Sequence, residues 1–176
     1  MGDTSTMNDL HQGAVNSSLF RAAARQVAAG VTVATATDGE RSHAVTATAF
    51  CTLSLDPPLV LLALDRAGQL LRLVRRAGHI GVNVLRRDQQ QLGEWAATRG
   101  RQLGRTLPDV ETVPGVTGAP LLAGTLAWFD CDVESESEHG DHALVVARVV
   151  RAWAAPEGDP LIYYQGSYAG LERGRG

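Results

Sequence analysis

The chain contains no lysine; all sixteen of its basic residues are arginine. That excludes Schiff-base chemistry on a lysine amine and the lysine of a phosphate-binding P-loop. Cysteine is nearly as scarce. Cys51 and Cys131 each fall inside a strand-like stretch, without a CxxC partner or a basic neighbour. Both are expected to be buried free thiols with no redox role. No apolar run approaches the length of a membrane span. No GxGxxG follows a strand-like segment, so a Rossmann nucleotide site is not indicated. Positive charge is not in excess either: the net charge of -3 offers no field to gather a nucleic-acid backbone. Residues Met1 to Asn16 lack the basic and apolar regions of a signal peptide. They are expected to form a disordered polar tail on a cytoplasmic protein that has neither nucleic-acid nor membrane partners.

What is present suits one domain. The 176 residues, 44% apolar and 20% charged, are enough to bury a core without metal or disulfide staples. That domain is expected over 17–171, with 172–176 as a short C-terminal tail, and no metal site is assigned. Ser17 and Ser18 are candidate N-caps for a helix carrying Phe20, Ala23, Ala24 and Val27, closed by Gly30. Strand patterns run from Val31 to Thr37 and from Ser42 to Phe50, joined at Asp38-Gly39, then from Leu59 to Leu64. Ala67 to Ala77 suits a helix stopped by Gly78, and Ile80 to Leu85 a short strand. Asp88 and Gln91 resemble a capping box that opens a helix with Leu92 and Trp95. Thr98 to Ala119 reads as loop. Long strands follow from Leu121 to Val133 and from Ala143 to Trp153, then a last one from Leu161 to Gln165 and a tail holding Tyr168. About seven strands against three helices, linked mainly by hairpins, is not the alternating pattern of a doubly wound sheet. The expected fold is mainly β with peripheral helices, an antiparallel barrel that closure frees of sheet edges.

Between the two long strands stands Glu138-His139-Gly140-Asp141-His142. Gly140 supplies the positive φ a tight turn needs, and His142 opens the next strand with its ring direction set by the pleat. A solvated hairpin tip accounts for this composition. The alternative is a turn whose His142 and Asp141 contact a ligand.

The order of several motifs carries a further reading. Ala28-Ala29-Gly30-Val31-Thr32-Val33-Ala34-Thr35 is followed by Ala44-Val45-Thr46-Ala47-Thr48-Ala49-Phe50, which runs into Leu53-Ser54-Leu55-Asp56-Pro57-Pro58-Leu59-Val60. Gly81-Val82-Asn83-Val84-Leu85, Cys131-Asp132-Val133, Gly140-Asp141-His142 and Pro160-Leu161-Ile162-Tyr163-Tyr164 complete the series. From about Phe20 to Leu171 the chain resembles the short-chain flavin reductase family. The resemblance implies an FMN-binding split β-barrel, a homodimer, and hydride transfer from NADH or NADPH to FMN or FAD. It also implies a partner monooxygenase supplied by diffusible reduced flavin.

The resemblance places Thr46, Ala47, Thr48, Leu53 and Ser54 beside the flavin, with Tyr168 close to it. Ordinary strand packing explains the first three equally well, a turn hydroxyl explains Ser54, and a surface aromatic explains Tyr168. His142 takes the role of orienting the nicotinamide, and Asp141 that of fixing its tautomer or capping the turn. Where relatives carry hydroxyls or asparagine for the flavin phosphate, this chain has Asp65-Arg66-Ala67-Gly68-Gln69-Leu70. Arg66 and Gln69 are candidate replacement donors, helped by the start of the following helix, and a solvated charge beside Asp65 accounts for Arg66 equally well. Arg101-Gln102-Leu103 stands where a lysine-phenylalanine pair is common, and makes Arg101 a second anion contact or loop surface. The leading expectation is an NAD(P)H-dependent flavin reductase. A flavoenzyme that retains FMN and acts on an organic substrate, and a non-catalytic flavin-binding module, are the alternatives.

Overall fold

Asp38 shows how local chemistry shapes the first hairpin. The structure is a computed structural model that describes residues 16–101, 104 and 111–171. Most of the expected N-terminal tail, all of the C-terminal one, and Gln102 and Leu103 lie outside those residues. The Asp38 side chain accepts from the backbone N–H of Arg41 at 2.8 Å and of Glu40 at 3.2 Å, while Gly39 takes φ +88°. These contacts close a turn between β2 (Thr32–Thr37) and β3 (Ser42–Ala47).

The remaining elements follow in chain order. Helix α1 (Ser17–Ala24) precedes β1 (Ala29–Gly30), which lies before β2. After β3 come β4 (Phe50–Leu55), β5 (Pro58–Asp65), α2 (Gln69–Ala77) and β6 (His79–Val84). A 3₁₀ turn (Arg87–Gln89) leads into α3 (Gln90–Ala97), then β7 (Thr112–Pro114) and β8 (Pro120–Leu122). The long strands are β9 (Ala127–His139) and β10 (His142–Ala154), followed by β11 (Leu161–Tyr164) and β12 (Ser167–Gly170).

Seven strands form the main sheet in the order β3-β2-β6-β9-β10-β5-β4, antiparallel at each pairing. The strand expected from Ser42 to Phe50 is broken at Thr48 and Ala49, and its two halves occupy opposite edges of this sheet. A two-residue link spans only about 11 Å, so the sheet must curl until its edges approach one another there. The Ala63 N–H bonds the Ala49 carbonyl at 3.0 Å at that point. Register shifts in the β9–β10 ladder, at Val146/Ala147 and Val149/Arg151, add local twist. The architecture is mainly β with few helices.

Apolar side chains collect on both faces of the sheet. Leu70, Leu71, Leu73 and Val74 of α2 pack with Val60, Leu62, Ile80, Val82 and Val145, while Arg72, Arg75 and Arg76 stay outside. Gly78 ends α2 at φ +73°, returning its N–H to Val74 O at 2.8 Å. On the other side Ala96 of α3 meets Val31, Val33, Leu85, Leu122 and Leu161. Buried Asn83 ties three strands: it donates to Val33 O at 2.9 Å and accepts from Leu122 N at 2.8 Å.

Several local expectations are corrected. Asn16, not Ser17 or Ser18, caps α1, because its carbonyl oxygen reaches the N–H groups of Ser18 and Leu19. That helix ends at Ala24, and Gly30 lies in β1 instead. The reciprocal cap before α3 joins Gln89 to Arg86 N at 2.9 Å, not Gln91 to Asp88. Leu121 to Val133 is two strands separated by a turn at Gly124 (φ +71°). The supposed tail after Gln165 pairs back as β12, because Gln165 and Gly166 both take positive φ and reverse the chain. Cys131 is buried, and burial together with Asp130 and Asp132 pushes its thiol up to about 12. Cys51 is exposed, since β4 is an edge strand.

Candidate active site

A cleft of about 780 Å³ opens where β3, β5, the start of α2, the segment after α3 and the β9–β10 turn meet. That volume lies within the usual range for a cofactor site. Its wall brings together Thr46, Ala47, Thr48, Gln69, Arg101 and Tyr168, residues up to 122 positions apart in sequence, with Asp141 and His142 at one rim. Leu53, Ser54 and Arg66 do not line it. Leu53 and Ser54 sit on edge strand β4. Arg66 turns to the β9–β10 hairpin, donating to Gly140 O at 2.8 Å and pairing with Glu138 at 2.7 Å.

Small side chains on β3 keep the wall low. The Thr46 hydroxyl donates to Gly93 O at 2.6 Å and joins the strand to α3. Tyr168 also approaches α3 here: a Cβ on Gly93 would stand in ordinary contact, 3.4 Å, from the tyrosine oxygen. The Tyr168 ring meets Tyr163 edge-on at 5.4 Å, and burial pushes its hydroxyl above the ordinary tyrosine range. The N-cap of α2 is Gly68, which has no side chain to satisfy the first amides of the helix. Those amides and Gln69 border the cleft, an arrangement suited to an anion.

Arg101 is anchored from several directions. Its guanidinium donates to Ala44 O, to Ala96 O at 2.9 Å and to Thr98 O at 3.2 Å, and lies 4.1 Å from the centre of the Trp95 ring. Burial lowers its pKa from the usual arginine value. Its planar fork can satisfy several carbonyls at once, which a lysine ammonium cannot do in the same geometry.

At the rim, a two-residue turn of Gly140 and Asp141 joins β9 to β10, with Gly140 at φ +61°. His142 Nδ1 lies 2.8 Å from Asp141 Oδ1. The hydrogen bond from His142, and then its charge, hold the Asp141 carboxyl below its ordinary value. An ionised carboxylate only accepts, so the shared proton sits on Nδ1 and Nε2 is left for another partner. Both side chains reach solvent, His142 at 48% and Asp141 at 94% exposure, so their pairing orients more than it stabilises.

Sequence reasoning passed over His43, Arg72, Arg99 and Tyr163, which also line the cleft. The signal for His43 was the two-residue period that puts it on the face of Val45 and Ala47. Burial, then the nearby Arg101 charge, lower the His43 pKa from 6.5 to about 4. A base with a depressed folded pKa gives full stability above 6.5 and loses it as pH falls toward 4. Urea midpoints of the unaltered protein are therefore expected to fall more steeply across that window than those of His43→Gln. Parallel slopes would contradict it.

No helix among the described residues is long and apolar enough to cross a membrane. The flavin reductase like domain family matches residues 24–172. The FMN reductase (NADH) SmoA of Agrobacterium fabrum is 35% identical over 161 residues, covering 92% of this chain and 90% of that protein. The reductase component of 4-hydroxyphenylacetate 3-monooxygenase from Thermus thermophilus is 36% identical over 152 residues, covering 86% and 95%. Among solved structures, BorF, the flavin reductase component of a bacterial two-component tryptophan halogenase, superposes with a TM-score of 0.80 at 35% identity. It covers 90% of this chain and 99% of its own. The chain whose cleft is walled by small residues, a guanidinium and a histidine turn thus belongs to the flavin reductase-like family.

Proposed function

We propose that this chain is an NADH-dependent flavin reductase that passes reduced FMN or FAD to a separate monooxygenase. The observation that carries this reading is the continuity of one cleft from the Thr46–Thr48 wall to the Asp141–His142 turn. A flavin and a nicotinamide must meet face to face, so both binding surfaces have to open on one space. The residues fit: a low wall for a flat ring, and uncapped helix amides, Gln69 and Arg101 for a phosphate. A bound flavin supplies the hydride-accepting chemistry. The protein supplies placement. Thr46, Ala47 and Thr48 admit the ring, Tyr168 closes one side, and His142, with its tautomer set by Asp141, turns Nε2 toward the nicotinamide-bearing substrate.

The fold is read as the split barrel of such reductases, since the edges of the main sheet approach one another at Thr48 and Ala49. The domain is read as 17–171 in a cytoplasmic protein. A homodimer accounts for apolar side chains left outside: Leu55 is 93% exposed, Val27 70% and Phe20 65%. Light scattering is expected to return twice the 18.7 kDa chain mass at micromolar concentration, and a monomer would contradict it.

The deciding assay follows NADH and NADPH oxidation with FMN, FAD and riboflavin added in turn. Turnover that depends on added flavin supports the reading. Absence of nicotinamide oxidation with every flavin would remove it.

A further inference from the structure

We propose that Arg66 is a positioning residue for hydride transfer, a strap that holds the β9–β10 turn so that His142 faces the cleft. This rests on the reading of His142 given above. Strand β6 accompanies β9 only from Ala127 to Asp132. Beyond that, the stretch of β9 up to His139 has β10 as its ladder partner, and among the described residues its other edge is without a strand. There β10 is held on its other side by β5, so the open strand of the tip is β9. Side chains take the place of the missing neighbour. Arg75 of α2 bonds Glu136 and reaches Glu138 at 3.0 Å.

Arg66 acts at the end of the tip. It follows Asp65, the register partner of His142, and its own N–H donates to Asp141 O at 3.0 Å. Its guanidinium donates to Gly140 O in the turn at 2.8 Å and pairs with Glu138 of β9 at 2.7 Å. One residue thus touches both carbonyls of the turn and a side chain of β9. The guanidinium and Glu138 are each 46% exposed, so their ion pair adds little to overall stability. Placement is a different matter, because an error of about 1 Å at a reacting centre lowers a rate on the order of a hundredfold. A contact of slight thermodynamic weight can therefore have a large kinetic effect.

The test compares Arg66→Ala, Arg66→Lys, His142→Ala and the Arg66→Ala/His142→Ala double variant. Four quantities are read: anaerobic single-turnover reduction by NADH, affinities for FMN and for riboflavin by fluorescence quenching, and the thermal midpoint. Arg66→Ala is expected to slow reduction roughly tenfold or more. The midpoint should stay within about 3 °C and the FMN-to-riboflavin affinity ratio should be unchanged. Arg66→Lys, with one ammonium for two acceptors, should fall between. In the His142→Ala background the Arg66 change should have no further effect, because it acts through the imidazole. An equal loss in both backgrounds, a selective loss of FMN affinity, or an unaltered rate in Arg66→Ala overturns the proposal. An unaltered rate in His142→Ala would instead overturn the reading of that histidine. The two failures are therefore separable.

Discussion

His142→Ala is expected to slow NADH-driven flavin reduction about tenfold to a hundredfold while flavin affinity stays within about twofold. The separation follows from where the residues stand. His142 begins β10, paired with Asp65 of β5, whereas Thr46 and Ala47 belong to β3 at the edge of the sheet. Removing the imidazole leaves those donors and the uncapped start of α2 in place. What is lost is the group proposed to orient the nicotinamide, whose Nδ1 lies 2.8 Å from Asp141. Rapid mixing of NADH with the flavin-loaded protein under anaerobic conditions measures the rate, and fluorescence quenching the affinity. The assignment of roles fails if reduction is unaltered and flavin binding collapses.

Arg101→Ala should show the opposite pattern. The Arg101 guanidinium holds carbonyls of β3, of α3 and of the turn after α3, and rests on Trp95. Arg101 is also proposed as a donor to the flavin phosphate, and a hydrogen bond made by a charged group contributes about 1.5–3 kcal/mol, so its loss should weaken FMN binding about tenfold to a hundredfold. Arg101→Lys should restore little of it, because one ammonium cannot reproduce the fork. Titration of each variant with FMN decides the matter. Wild-type affinity in Arg101→Ala would show that the wall stands without this residue.

These residues differ in how legible they were. His142 and Asp141 stood out because histidine, glycine and aspartate cluster at one strand junction. Thr46 to Thr48, which line the cleft, were singled out only through a resemblance, since short strand residues alone do not announce a ligand. His43 was missed although its strand period was visible, because burial beside Arg101 involves a segment that follows more than fifty residues later. The exposure of Cys51 was likewise hidden, because an edge strand and a central strand can share one local pattern.

By itself the sequence determined what is encoded within a few residues: the places of the three helices and of several strands, the Gly78 stop, the Asp38 turn, and the turn at Gly140 and Asp141 before His142. These depend on backbone preference, hydrophobic period and short side-chain contacts, which act along the chain. The tertiary structure decided what depends on distant pairing. Sending β3 and β4 to opposite edges of one sheet follows from which strands find partners, not from the composition of Ser42 to Leu55. Whether Arg66 meets a phosphate or the β9–β10 turn depends on a carbonyl 74 residues further on, at Gly140. A guanidinium is the same donor toward either acceptor, so only the folding of β5 beside β10 could choose between them.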